Sequence, residues 1–170
     1  WLLSSGDSDA AIREKLRDRG FDENRVIFGE PLSVDKHLAR LSAADIFLDS
    51  FVVNGHTSVS DALFAGLPVV TLPGSQFAAR VGASLLKAAG CDYLIARDRQ
   101  DYLNKALMLA TEPNYLRTVK DHLSENLMRS PLYDVQAYTH SLQKLFSRAV
   151  AISVDGEKPS DIILKEADKE

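Results

Sequence analysis

Asn54-Gly55-His56-Thr57-Ser58 sets a glycine, an imidazole and two hydroxyls in consecutive positions, soon after the apolar run Ile46-Phe47-Leu48 and its closing Asp49. Those residue types suit an anion. Gly55 lets the backbone turn and come close to a ligand. Thr57 and Ser58 put hydroxyls and unpaired N–H groups at the start of a helix, where the backbone dipole favours negative charge. His56 adds a donor able to take a proton beside a diphosphate. Asp61, one turn further along, is placed where a carboxylate could hold the two hydroxyls of a ribose. An ordinary capped helix start is the competing reading: Thr57 or Ser58 alone could be the N-cap, and Ser58-x-x-Asp61 is close to a capping box. The turn is less specific than a phosphate loop, and the chain has no Gly-x-x-x-x-Gly-Lys run.

Other candidates are weaker. His37 and Arg40 share one helix face, and a flat imidazole beside a flat guanidinium suits stacking on and bonding to a nucleotide base. Alone, such a pair is more often solvated surface. Asp7-Ser8-Asp9 has the Asp-x-Asp form of some metal-dependent transferases, but acids at a helix start are more simply caps that offset its dipole. Arg80, after Pro73-Gly74-Ser75, is placed either to reach a ligand cleft or to pack. His122 and His140 stand isolated on helical stretches and read as structural. Cys91 is the single cysteine, so it forms no internal disulfide or cysteine-based zinc site, and it reads as a buried hydrophobe in a reducing compartment.

The elements that must position these residues follow from periodicity. Ala10, Ile12 and Leu16 mark a helix that Gly20 stops, and Arg25 to Phe28 reads as a short strand. Ser33 caps a second helix through Leu41. Asp45 to Asp49 reads as a strand buried on both faces. A third helix runs from Ser58 to Ala65 and closes at Gly66 and Pro68. Val69 to Leu72 is a strand, Pro73-Gly74 a turn, Phe77 to Ala89 a helix, and Tyr93 to Ile95 a last strand. Trp1-Leu2-Leu3 reads as the end of a buried strand, as in a piece of a longer protein. This alternation predicts an α/β fold, a Rossmann-like parallel sheet covered by helices, over residues 1–98. From Arg99 the pattern is helical only: Asp101 to Thr111, Asn114 to Met128 and Val135 to about Val150. Residues 99–150 therefore form a helical extension packing on the lobe. Residues 151–170 read as a mobile polar tail, with Ile162-Ile163-Leu164 as a docking point.

A net charge of −4 gives no general attraction for nucleic acid or acidic membranes. No apolar run approaches the ~18 residues needed to span a bilayer.

Taken together, His37-Leu38-Ala39-Arg40, Ala44 to Asp49, Asn54 to Ser58, the stretch Asp61 to Gly74, Ala79-Arg80-Val81, Ser130-Pro131-Leu132 and Tyr138 resemble, in order and spacing, the TPR-linked O-GlcNAc transferase and SPINDLY group. The resemblance covers about Trp1 to Val150. It implies the C-terminal lobe of a GT-B glycosyltransferase, a fold with two Rossmann-like lobes and a nucleotide-sugar in the cleft. It further implies that His37 stacks on uracil, Arg40 contacts the base, His56, Thr57 and Ser58 hold the diphosphate with Gly55 close by, and Asp61 binds the ribose. The implied reaction moves N-acetylglucosamine from UDP-GlcNAc to Ser or Thr of protein acceptors, inverting and without metal or other cofactor, in the cytoplasm or, in a eukaryote, the nucleus and cytoplasm.

The chain departs from the group in three places. The lysine that neutralises departing UDP is expected upstream of Trp1, with the N-terminal catalytic lobe as partner. A lysine before the base-stacking histidine falls at Val34, leaving Lys36 as the nearest substitute. The second threonine of the turn is Ser58. A SPINDLY-type O-fucosyltransferase using GDP-fucose and a non-catalytic nucleotide-binding or scaffold domain are the alternatives.

Overall fold

A computed structural model describes residues 1–3 and 6–164. The side chain of Asp7 and the polar stretch Lys165 to Glu170 lie outside the described residues. The backbone divides into two compact units, Trp1–Ala43 and the remainder from Ala44.

In the first unit, β1 (Leu2–Leu3) pairs in parallel with β2 (Phe28–Gly29). Between them lies α1 (Asp7–Asp18), and α2 (Val34–Ser42) comes after β2. The expected strand from Arg25 is shorter than its sequence pattern. Asp22 accepts a hydrogen bond from Asn24 N at 3.0 Å, and this local turn draws Glu23–Arg25 into a 3₁₀ turn. Trp1 and Leu2 are 60% and 44% exposed, against the expectation that they end a buried strand. The N-cap of α1 is Gly6, and the acids lie inside the first turn instead of capping it. Among the described residues, no side chain before Asp49 is buried.

The second unit holds the core. Its parallel pair is β3 (Phe47–Leu48) with β4 (Val69–Val70). Val69 and Val70 are fully buried, but Leu48 is 58% exposed, against the expectation of a strand covered on both faces. The reason is position: among the described residues β3 pairs on one edge only, with β4. Beyond β4, Thr71 forms a single parallel bridge to Ile95. The expected strand at Tyr93 is a 3₁₀ turn over Asp92–Leu94.

Helix α3 (Thr57–Phe64) buries Val59, Ala62 and Leu63, the i, i+3, i+4 spacing of one helix face. Burying each large side chain of this kind contributes about 1.5–3 kcal/mol. The helix ends at Gly66, φ 73°, where Gly66 N bonds Leu63 O and Leu67 N bonds Ala62 O. That paired closure needs a left-handed residue, and it turns Leu67 into the core. The helix expected from Phe77 is broken. The Ala78 carbonyl accepts from Asn54 N and the Ala79 carbonyl from Gly74 N, so neither continues a helical ladder. Phe77–Ala79 is a 3₁₀ turn, and α4 (Val81–Ala88) starts after Arg80.

Three helices complete the unit: α5 (Arg99–Thr111), α6 (Pro113–Asn126) and α7 (Val135–Val154). Pro113 opens α6, where its missing N–H costs nothing. Leu109, Val119, Leu123 and Leu127 bring α5, α6 and the 3₁₀ turn Leu127–Arg129 into the core. Ile163 meets Arg148 through its carbonyl at 3.4 Å, and its side chain is 76% exposed while Ile162 and Leu164 on either side are half-buried.

Gly66→Ala isolates the backbone term, because a Cβ at Gly66 meets nothing within 4 Å. The expected loss is about 1–2 kcal/mol, the cost of a left-handed L-residue, read as a lower urea midpoint with an unchanged slope.

Candidate functional site

The chain leaves β3 at Asp49, and that side chain, 3% exposed, organises the turn leading into α3. Its Oδ1 accepts from Ser50 N at 2.9 Å and Gly55 N at 2.7 Å, and its Oδ2 from the Thr71 hydroxyl at 2.6 Å. Its main chain is held as well: Asp49 N bonds Val70 O at 3.0 Å, and the Tyr102 hydroxyl donates to Asp49 O at 2.9 Å. Asp98 caps α5 by accepting from Asp101 N at 2.8 Å, which fixes the turn that presents Tyr102. The Tyr102 ring also meets Phe51 edge-on at 5.0 Å, and the Arg99 guanidinium lies 5.5 Å over Phe51.

Asn54 is buried and structural. Its Nδ2 donates to Ser50 O at 2.7 Å, its Oδ1 accepts from Gly82 N at 3.3 Å, and its backbone N bonds Ala78 O at 2.8 Å. Gly55 does not have a positive φ. Its role is close approach within the chain: a Cβ there would collide with the Ser58 hydroxyl and crowd Val59. The turn is therefore packed onto the first turn of its own helix.

His56 occupies the N-cap of α3 with φ −93° and ψ −85°, and no side chain caps the helix. The expectation that Thr57 or Ser58 serves as cap, or that Ser58 and Asp61 close a capping box, is thus corrected: both hydroxyl residues lie inside the helix. The N–H groups of Thr57, Ser58 and Val59 have no hydrogen-bond partner among the described residues, the first helical bond back to the cap being Ser60 N to His56 O. Such a helix start presents donors and a positive dipole end outward. His56, Thr57 and Ser58 are all exposed, and Asp61 is half-buried one turn on. The exposed Phe77 ring stands perpendicular to the His56 ring at 6.1 Å. Arg80 is exposed, and its guanidinium makes no ion pair or hydrogen bond among the described residues.

In the first unit, α2 brings His37 and Arg40 together. Arg40 Nη2 lies 3.2 Å from His37 Nδ1, and Arg40 Nη1 donates to Glu30 O at 2.9 Å. A guanidinium is donor only, so in this contact His37 Nδ1 is the atom that can accept. Gly29 makes the room: a Cβ there would stand 2.6 Å from Arg40 Nη1. Val34, where the resemblance has a lysine, is 73% exposed. Nearby, the Ser33 hydroxyl and then the Lys36 N–H hold the Asp35 carboxyl below the usual carboxylate range.

The remaining candidates are structural or unassembled. His140 is exposed on α7. His122 packs against Tyr93, ring centroids 6.2 Å apart, with its Nε2 buried and unbonded. Cys91 is free and buried, and burial pushes its thiol pKa up. Among the described residues no three His, Cys, Asp or Glu side chains gather as a metal site, and no helix is long and apolar enough to cross a membrane. Sequence reasoning missed Asp49, Thr71, Gly82 and Tyr102. The one available signal was an acid closing the apolar run Ile46-Phe47-Leu48.

An open helix start beyond the carboxyl end of a parallel strand is where α/β proteins bind phosphorylated ligands. The chain is similar, at 30% identity and a TM-score of 0.78, to a solved mutant O-GlcNAc transferase from Thermobaculum terrenum, over 85% of this chain and 28% of that one. The fold class is accordingly that of a GT-B glycosyltransferase lobe. Residues 1–142 match the family described as Glycosyl transferase family 41, and the chain belongs to that family. It is 34% identical over 149 residues to the UDP-N-acetylglucosamine--peptide N-acetylglucosaminyltransferase of Caenorhabditis elegans, covering 87% of this chain and 13% of that one. It is 35% identical over 124 residues to a probable UDP-N-acetylglucosamine--peptide N-acetylglucosaminyltransferase SPINDLY of Solanum lycopersicum, covering 73% and 13%. The chain thus spans 13% of the length of each of these two relatives.

Burial, with the Asp49 charge adding to it, pushes the Tyr102 phenol up from 10.0 to about 12. The folded state therefore holds this proton more tightly than the unfolded chain. The resulting stability is complete below pH 10 and is lost as pH rises from there through about 12. Tyr102→Phe is expected to flatten that alkaline loss, measured as unfolding midpoints across the same pH window.

Proposed function

We propose that this chain is the donor-binding half of a protein O-GlcNAc transferase, moving N-acetylglucosamine from UDP-GlcNAc to Ser or Thr of protein acceptors. The observation that carries this reading is the uncapped start of α3, with the N–H groups of Thr57, Ser58 and Val59 unbonded and His56 beside them. The names borne by the relatives from Caenorhabditis elegans and Solanum lycopersicum support it.

In this reading Thr57 and Ser58 hold the diphosphate through N–H and hydroxyl, and His56 donates to it. Asp61 takes the ribose hydroxyls. His37, with Nδ1 tied to Arg40, offers its ring face to the base, and Arg40 holds that ring in place as well as reaching the base. Negative charge builds on UDP as the sugar leaves, so donors aimed at the diphosphate act most strongly in the transition state. The reading needs no metal.

A helix terminus contributes about 0.3–1 kcal/mol to an exposed charge and up to ~2 when partly buried. Enzymes lower barriers by roughly 8 kcal/mol or more. The α3 start therefore binds and orients, and a second lobe with a cation must supply much of the rest. The 170 residues alone are expected to transfer nothing.

Calorimetry on the full-length protein is expected to show UDP binding more tightly than GDP. Charge-assisted hydrogen bonds contribute about 1.5–3 kcal/mol, so His56→Ala should weaken UDP at least about tenfold. Tighter binding of GDP would favour a GDP-fucose donor. Unchanged UDP binding in His56→Ala would overturn the phosphate assignment.

A further inference from the structure

We propose that Asp49 is a positioning residue: bonded to Gly55 N–H on one side and the Thr71 hydroxyl on the other, it sets the direction of the α3 start and thereby the affinity for the donor diphosphate, without touching the donor. This rests on the donor-site reading above and names what makes that site rigid.

A carboxylate taken out of water is costly unless its oxygens are well bonded. Asp49 is 3% exposed, makes three hydrogen bonds and has no cationic partner among the described residues. Its bonds run between different elements. Oδ2 is fixed to the end of β4 through Thr71, in the buried centre of the unit, and Oδ1 is fixed to the residue immediately before the His56 cap. The carboxylate thus consumes the Gly55 N–H and leaves the N–H groups of the exposed Thr57 and Ser58, just past the cap residue, for a ligand.

Helix α4 closes the arrangement from behind. A Cβ on Gly82 would collide with Asp49 Oδ2 and stand 2.7 Å from the Thr71 hydroxyl, so the helix backbone rests directly on this pair. Asn54 ties the same glycine to the turn. Tyr102 fixes the Asp49 carbonyl from α5. With both oxygens of the carboxylate held, rotation of the turn requires breaking a bond to Thr71 or to α5. Losing the Thr71 link frees one side only, and the turn keeps its fold but not its aim.

The test is calorimetric titration of UDP into full-length protein carrying Thr71→Val, Asp49→Asn or Asp49→Ala, with His56→Ala in parallel. Calorimetry reports the dissociation constant and the fraction of competent protein separately. The proposal expects Thr71→Val and Asp49→Ala each to raise Kd about tenfold at unchanged stoichiometry. Asp49→Asn, which keeps an oxygen for Gly55 N–H, should return Kd to within about threefold of the parent. Added to His56→Ala, Thr71→Val should raise Kd by less than it does alone, because both act through one turn. If Thr71→Val lowers only stoichiometry and leaves Kd unchanged, Asp49 is a folding anchor and the proposal is overturned. Loss of UDP binding in His56→Ala with unchanged Kd in Thr71→Val and Asp49→Ala overturns the positioning role alone. Unchanged binding in His56→Ala overturns the donor-site reading, and the proposal with it.

Discussion

Asp49 carries a negative charge into a nearly waterless interior, and its surroundings hold it with N–H and O–H donors instead of a cation. Those donors come from Thr71 just past β4, from the turn leading into α3, and from Ser50, the next residue in the chain. Satisfying one carboxylate therefore fixes where β4 ends, how the turn closes and where α3 points. Glycine at 82 and at 55 answers the same demand, since each stands where a side chain would collide with this cluster or the helix start it supports. The exposed donors at the start of α3 are what remains once the interior is satisfied.

The two units are ordered in different ways. The second has a dense apolar core from Val59 to Leu127, on which a rigid turn can be built. The first has no buried side chain among the described residues, and His37 and Arg40 are ordered by polar contacts instead. Arg40 reaches Glu30 O and the His37 ring, and Arg13 lies 4.8 Å over Phe28 while donating to Glu23 O.

Much of this was legible in the sequence because helices announce themselves through local periodicity. The helical stretch from Ser58 to Ala65, with its stop at Gly66 and Pro68, placed α3 within a residue of its bounds. The open turn before it was legible because glycine, histidine and two hydroxyl residues rarely serve a core. The strands were less so. Tyr93-Leu94-Ile95 has strand-forming residues, but a parallel strand exists only through its partner, and only Ile95 finds one in Thr71. The break at Arg80 was hidden because the carbonyls of Ala78 and Ala79 are taken by residues outside any helical register. Asp49 was hidden for a related reason: its partners Thr71 and Tyr102 lie 22 and 53 positions away, and no local pattern records them. Gly55 was read as room for a ligand, and in the structure it makes room for Ser58 and Val59 of its own helix, without a positive φ.

A crystal structure of the full-length protein with UDP bound tests the central claim most directly. The diphosphate oxygens should lie within hydrogen-bonding distance of the Thr57 and Ser58 N–H groups and the His56 ring, with Asp49 still joined to Gly55 and Thr71. A diphosphate seated elsewhere, with the start of α3 facing solvent or covered by protein side chains, would contradict the account.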